Sequence, residues 1–153
     1  MEFKLTSPAF SHGSQVPSKY TCDGENINPH LIIHGVPAEA KSLALVMEDP
    51  DAPAGLWIHW VMWNIPPETK EIREHTVPNG AEEGHNTRRK AGYTGPCPPS
   101  GSHRYFFRLF ALDTKLELPA DSEKPALEKA MELHILATAE LVGTYSRTNE
   151  APR

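Results

Sequence analysis

The stretch Met47-Glu48-Asp49-Pro50-Asp51-Ala52-Pro53 sets two carboxylates two residues apart between prolines. Proline pushes the residue before it toward extended backbone, so Asp49 and Ala52 read as β or polyproline-like. In an extended segment residues i and i+2 point the same way, which puts Asp49 and Asp51 on one face. Two carboxylates there repel unless a cation, a proton or good donors lie between them. From spacing alone, a turn whose Asp side chains bond their own backbone is an equal alternative.

The segment Leu56-Trp57-Ile58-His59-Trp60-Val61-Met62-Trp63-Asn64 follows. Strand alternation predicts Trp57, His59, Val61 and Trp63 on one face, with Ile58, Trp60, Met62 and Asn64 on the other. Both faces are mostly apolar, so the strand is expected to be central, and His59 then needs a hydrogen-bond partner. On its own His59 reads most simply as a satisfied core histidine. Asp49 and Asp51, one hairpin away, are the expected partners. A carboxylate in reach would raise the imidazole's pKa and keep it cationic near neutrality.

A third element, Gly92-Tyr93-Thr94-Gly95-Pro96-Cys97-Pro98-Pro99-Ser100-Gly101-Ser102-His103-Arg104-Tyr105, is dense in glycine and proline. It reads as a stiff loop whose backbone can closely approach something. It feeds a strand on which His103, Tyr105, Phe107 and Leu109 alternate onto one face. A sandwich edge capped by Tyr and His would look similar. Two histidines, a tyrosine hydroxyl and glycine amides, backed by carboxylates, suit a small anion with several acceptor oxygens. The histidines lack short metal-ligand spacing. No H-E-x-x-H, no G-x-S-x-G and no phosphate loop ending in Gly-Lys-Ser/Thr occurs, so neither a metal nor a cofactor is expected.

The elements that must position these groups are mainly strands. With 153 residues the chain reads as one domain, 1–153. Its 15 prolines, about twice the ordinary share of roughly 5%, disfavour a helical bundle. High β propensity between turn signals predicts an all-β-dominated fold, an antiparallel sandwich or barrel, with strands near Leu31–His34, Ser42–Met47, Leu56–Ile65, Arg104–Leu112 and Ala139–Tyr145. One helix is expected, with Ser122 as N-cap, Pro125 in its first turn, and Leu127, Ala130, Met131, His134 and Thr138 on one face. Residues Ile72 to Gly92 are polar and glycine-bearing and read as a long loop.

Fifteen basic residues against twenty acidic ones give a net charge of −5, which argues against nucleic-acid binding. No apolar leader precedes Ser7, and no apolar run approaches the roughly 18 residues of a membrane span, so a cytoplasmic location is the default. Cys22 and Cys97 are too few for a disulfide framework, and whether the two pair is a matter of geometry.

Asp49-Pro50-Asp51-Ala52-Pro53, then His59, Gly95-Pro96 and His103-Arg104-Tyr105 resemble the phosphatidylethanolamine-binding protein family, which includes the Raf kinase inhibitor protein. The similarity looks closest to its short bacterial and archaeal branch. It runs from Ser7-Pro8-Ala9-Phe10 through Tyr20-Thr21-Cys22-Asp23-Gly24-Glu25-Asn26 to Ala139-Glu140-Leu141-Val142-Gly143-Thr144-Tyr145. The resemblance implies a sandwich of two antiparallel sheets with a small pocket for anionic phosphoryl groups. By position the pocket residues would be Asp49, Asp51, Trp57, His59, Gly95, Pro96, His103 and Tyr105. His59, His103 and Tyr105 would donate to the anion, Asp49 and Asp51 would orient and charge the imidazoles, and Gly95 would let a backbone amide approach. The family often has a cis peptide at the position of Ala52–Pro53. The chain stops soon after Tyr145, unlike longer animal members whose added C-terminal segment helps gate the pocket.

The reading that follows is a non-enzymatic module binding phosphate, a phosphorylated group or a phospholipid headgroup, acting as a kinase-inhibitor-like or signalling modulator. Protease inhibition, known among some relatives, is the alternative, with a peptidase as partner and the loop after Ile72 as its reactive segment. A hydrolase built on a His59–Asp49 base or a Cys22 nucleophile ranks below both, since no hydroxyl is placed beside the histidine by any motif. Dimerisation is common among short relatives. Trp60 and Met62 are expected in the core or at such an interface, His134 as packed, and Arg88-Arg89-Lys90 as a solvated loop whose charge could assist anion recruitment.

Overall fold

The computed structural model describes residues 2–147. In chain order the elements are β1 (Lys4–Thr6), a 3-10 turn (Ser18–Tyr20), β2 (Leu31–His34), β3 (Ser42–Asp49), β4 (Trp57–Ile65), β5 (Glu71–Ile72), β6 (Glu82–Glu83), β7 (His103–Leu112), α1 (Lys124–Met131) and β8 (Ile135–Tyr145). They form two antiparallel sheets, β1-β2-β5 and β6-β4-β3-β7-β8. Among the described residues no helix is long and apolar enough to cross a membrane.

Alternation on β3 explains the layering. Leu43, Leu45 and Met47 face the small sheet and join Leu5, Leu31, Ile33 and Ile72 in the inter-sheet core. Ala44 and Val46 face the other way and meet Leu127 and Met131 of α1. Every residue of β3 is buried, so this is the central strand, and its last residue, Asp49, sits at the end of the inner face.

β4 departs from strict alternation, and the departure matters for the site. Met47 pairs with Trp60 but Glu48 pairs with Ile58, so His59 is an extra residue in the ladder. A second irregularity falls between Leu43/Ile65 and Leu45/Met62, where Asn64 adopts φ 56°. Between these bulges Trp60 and Met62 lie in the inter-sheet core, while Ile58 shares the outer cluster with Val61 and Trp63. The expected face assignment for Ile58 and His59 is thereby reversed: a bulge adds one residue and re-aims the side chains on either side of it.

The helix is shorter than its apolar pattern suggests. Its N-cap position is Glu123, not Ser122, and it ends at Met131. Leu133 then takes φ 68°, and the chain turns into β8, which carries Thr138. His134 is not packed on a helix face but half exposed, its Nδ1 donating to Asp113 at 2.7 Å. Residues 72–92 are mostly irregular, interrupted by β6 and a bridge between His85 and Ala91. Peptide bonds among the described residues are all trans, so the cis bond implied at Ala52–Pro53 is not present. Instead Gly55 N–H closes onto Ala52 O at 3.0 Å, a β-turn with proline in its second position, where a trans bond fits.

Candidate functional site

Asp49 ends β3, His59 occupies the bulge near the start of β4, and His103 and Tyr105 open β7. These strand ends converge on a cavity of about 360 Å³. Ala52, Pro53 and Ala54 with Trp57 form one wall, and Thr94, Gly95 and Cys97–Pro99 form another. Of the eight residues expected at the site, Asp49, Trp57, His59, Gly95, His103 and Tyr105 line this cavity, while Asp51 and Pro96 lie outside its lining.

Each imidazole spends Nδ1 on the protein. His103 Nδ1 donates to Asp49 Oδ2 at 2.7 Å, with both groups buried. His59 Nδ1 lies 2.6 Å from the Thr94 carbonyl, which can only accept, so Nδ1 carries the proton. Among the described residues no hydrogen bond of good geometry reaches Nε2 on either ring, which leaves that nitrogen to a ligand. The rings flank one tyrosine: His59 meets Tyr105 edge-on at 5.3 Å between centroids, and His103 stacks on it at 6.3 Å. Among the described residues the Tyr105 hydroxyl finds no hydrogen-bond partner of good geometry. Burial first, then the Asp49 and Asp51 carboxylates, push its ionisation far up, so it stays a neutral donor.

Three assigned roles change in the structure. His59 is held by Thr94, not by an aspartate, and burial is the dominant influence on it, ahead of Thr94, with the Asp49 charge a smaller opposing one. Its pKa is lowered, the reverse of the cationic imidazole expected, because nearby protein replaces the water that would solvate the charge. Among the described residues Asp51 hydrogen-bonds no imidazole, and its interaction with His103 is the last and smallest of the influences on it. Its carboxylate forks onto Arg104, taking Nε at 2.9 Å, Nη2 at 2.8 Å and the backbone N–H at 2.9 Å, and these bonds hold its pKa at about 2. Asp49 Oδ1 in turn accepts the Asp51 N–H at 2.7 Å, an Asx turn at the end of the strand. The Gly95 amide is also committed, donating to Asn26 Oδ1 at 2.8 Å. Glycine is needed there because a Cβ would fall 2.2 Å from the Tyr20 carbonyl: the loop approaches the 20–26 segment rather than a ligand.

That segment is tied to the cavity wall twice more, by Cys22 N–H on the Pro96 carbonyl at 3.1 Å and by a Cys22–Cys97 disulfide with 5.4 Å between Cα atoms. Residues that sequence spacing left out complete the frame. Buried Asn86 donates to Gly92 O and Thr94 Oγ1 and accepts from the Arg88 and Lys90 amides. Thr87 pairs with both backbone groups of Ile58, beside the bulge. These contacts set Arg88 on the cavity rim. An Asn two residues before a basic side chain is the Asx-turn signal that could have flagged the loop as ordered.

With this geometry in place, the chain can be set beside known proteins. The family model for phosphatidylethanolamine-binding protein matches residues 6–146. The chain belongs to the phosphatidylethanolamine-binding protein family. Its relatives include a UPF0098 protein of Methanothermobacter thermautotrophicus, 51% identical over 94% of this chain and 98% of the relative. Another, from Chlamydia muridarum, is 48% identical over 94% and 99%. Among solved structures, a putative phosphatidylethanolamine-binding protein homologue from Chlamydia trachomatis superposes with a TM-score of 0.92, at 46% identity, covering 95% of this chain and 97% of that one. Escherichia coli YbcL, described as a member of the mammalian family, gives a TM-score of 0.89 at 32% identity, covering 96% and 99%. Membership makes this a ligand-binding protein of the general family type, and none of these names is that of an enzyme.

Proposed function

We propose that the cavity receives a phosphoryl group, as free phosphate, a phosphate monoester or a phospholipid headgroup, and that the protein acts by sequestering such groups from a kinase or signalling partner. The observation that carries this reading is the pair of imidazoles flanking Tyr105, each with Nδ1 already used and Nε2 left over. A tetrahedral oxyanion offers several acceptors to these rings once a proton occupies Nε2, and to the Tyr105 hydroxyl between them. Cys97 on the same wall is held in a disulfide and offers no thiolate nucleophile.

A neutral His59 with its proton on Nδ1 presents a lone pair at Nε2 and cannot donate to a phosphoryl oxygen. Binding therefore requires a proton at that contact, taken up by the ring or carried in as P–OH. The sign follows. The free-state pKa lies below the ordinary 6.5, and a bound anion raises it, so affinity increases as pH falls through that interval. Titrating phosphate and phosphoethanolamine by calorimetry from pH 8 to 6, in buffers of different ionisation enthalpy, tests this. The expected result is proton uptake and affinity rising by up to about tenfold per pH unit. Vesicles with and without phosphatidylethanolamine separate a headgroup from a free phosphate. Unmoved imidazole resonances of both His59 and His103 at saturating phosphate would overturn the reading.

A further inference from the structure

A second cavity of about 380 Å³ adjoins the first and shares Arg88, Thr94, Gly95 and Cys97 with it. Its remaining lining includes Lys90, Asn26 and Tyr93, and no carboxylate. The charge balance across the pair is uneven. In the first cavity the Asp49 carboxylate already faces His103, and His59 is neutral. Arg73, Arg104, Arg108 and Arg147 each hold a carboxylate elsewhere. Among the described residues the Arg88 and Lys90 side chains enter no ion pair, and the Arg88 charge is felt at the His59 ring. Nor is their loop free to swing away. Asn86 Oδ1 takes both amides, the Arg89 N–H closes on the Asn86 carbonyl at 2.8 Å, and Thr87 is laddered to Ile58.

Resting on the phosphoryl reading of the first cavity, we infer that Arg88 and Lys90 form a second anion subsite, and that the preferred ligand is a phosphorylated compound bearing another acidic group a few bonds from the phosphate. The chemistry fits an acidic phosphoamino acid or phosphopeptide better than a zwitterionic headgroup. An ammonium group would meet Arg88 with like charge, whereas a carboxylate would meet a guanidinium carried on an ordered loop, with no ion-pair partner among the described residues. The two subsites then divide the work. The buried imidazoles and Tyr105 recognise the tetrahedral group, and the exposed cations recognise the companion charge and draw it in.

Two matched pairs of probes isolate that companion charge. O-phosphoserine differs from phosphoethanolamine by one carboxylate, and N-acetyl-phosphoseryl-glutamate differs from its glutamine counterpart by one charge on a longer reach. In 50 mM salt the acidic member of at least one pair is expected to bind about threefold to tenfold tighter, in the range of exposed charge-assisted contacts. The advantage should shrink as salt rises. In Lys90→Gln, whose side chain lines only the second cavity, the ratio within that pair should fall toward one, and Arg88→Gln should abolish it. If all four probes bind with no advantage for the acidic members, the second subsite is wrong and the phosphoryl site stands. If none binds and phosphate also fails, both fall together.

Discussion

Glu48 and Asp49 are consecutive buried carboxylates on one strand, and alternation sends them to opposite faces. On the outer face Glu48 is closed by permanent charges: Oε2 takes Arg108 Nε at 2.8 Å, Oε1 takes Lys124 of α1, and Arg108 also reaches Glu140. On the inner face Asp49 is closed by a backbone amide and an imidazole, and the imidazole keeps a nitrogen for something else. The first arrangement is finished when the protein folds and docks a helix onto a sheet. The second ends in an imidazole on a cavity wall. The same chemical group makes a closed contact or an open one according to whether its partner has an atom left over.

The two regions are also tied differently, and the largest expected effect comes from cutting the covalent tie. The cavity wall is held by a disulfide spanning 75 residues, whereas the outer face relies on ion pairs and apolar packing. Closing a loop of that length constrains the unfolded chain by about 4 kcal/mol. Reduction by a dithiol is expected to lower unfolding stability by about 3–4 kcal/mol in urea titrations. Hydrogen exchange should speed most at residues 20–26 and 94–97 and least in α1. Equal acceleration on both faces would show that the wall and the helix layer are one cooperative unit.

Next in size is the outer carboxylate. Glu48→Gln leaves Lys124 and Arg108 without their buried counter-charge and should cost about 2–3 kcal/mol, less than a fully buried pair because Arg108 is partly exposed. Phosphate affinity should be unchanged. Asp49→Asn should show the reverse pattern, about 1 kcal/mol of stability and roughly tenfold in phosphate affinity, since asparagine keeps the shape and loses the charge that orients His103. If both substitutions weaken phosphate binding alike, the division between the faces fails.

Much of this division was legible in the sequence, though not all of it. The strands near Leu31, Ser42 and Arg104 announced themselves through β propensity between turn signals, and the Asp-Pro-Asp and His-Arg-Tyr segments marked the cavity end of the sheet. The position of His59 did not, because a bulge is a property of pairing: nothing in Trp57–Trp63 says that Glu48 will oppose Ile58 rather than His59. The partner of His59 was hidden for a related reason. Its acceptor is a backbone carbonyl 35 residues away, and carbonyls carry no residue-type signature. Helix α1 was overextended because Leu133 to Thr138 continue an apolar pattern that β8 uses with period two.

The pH dependence of stability sharpens the inner face further. His59 has a lowered folded-state pKa, so below about pH 6.5 the unfolded chain takes up a proton that the native ring resists. Stability should decline as pH falls from about 6.5 toward the folded pKa, and His59→Gln should remove that decline while leaving the outer ion pairs intact. A pH profile of urea midpoints for the two proteins checks it. Saturating phosphate should flatten the profile of the parent protein, because the bound anion supplies the counter-charge that burial withholds.

The smallest expected effect concerns Asp51, the carboxylate that sequence placed at the site and the structure places outside the cavity lining. Its fork onto Arg104 is largely solvent-exposed, with the guanidinium side chain 56% accessible, so the pair is worth under about 1 kcal/mol. The lowered pKa gives the sign: the contribution is complete above about pH 4 and is lost as pH falls from the ordinary carboxylate value through about 2. Asp51→Asn should therefore change stability by a few tenths of a kcal/mol at neutral pH and leave phosphate affinity within twofold, provided the Asp49–Asp51 turn survives. The Asx bond donates from the backbone of residue 51, which asparagine retains. A tenfold loss of phosphate affinity in Asp51→Asn would mean that Arg104, released from its carboxylate, changes the orientation of His103. The inner face would then be a three-residue relay and not the two-residue one drawn from Asp49 and His103.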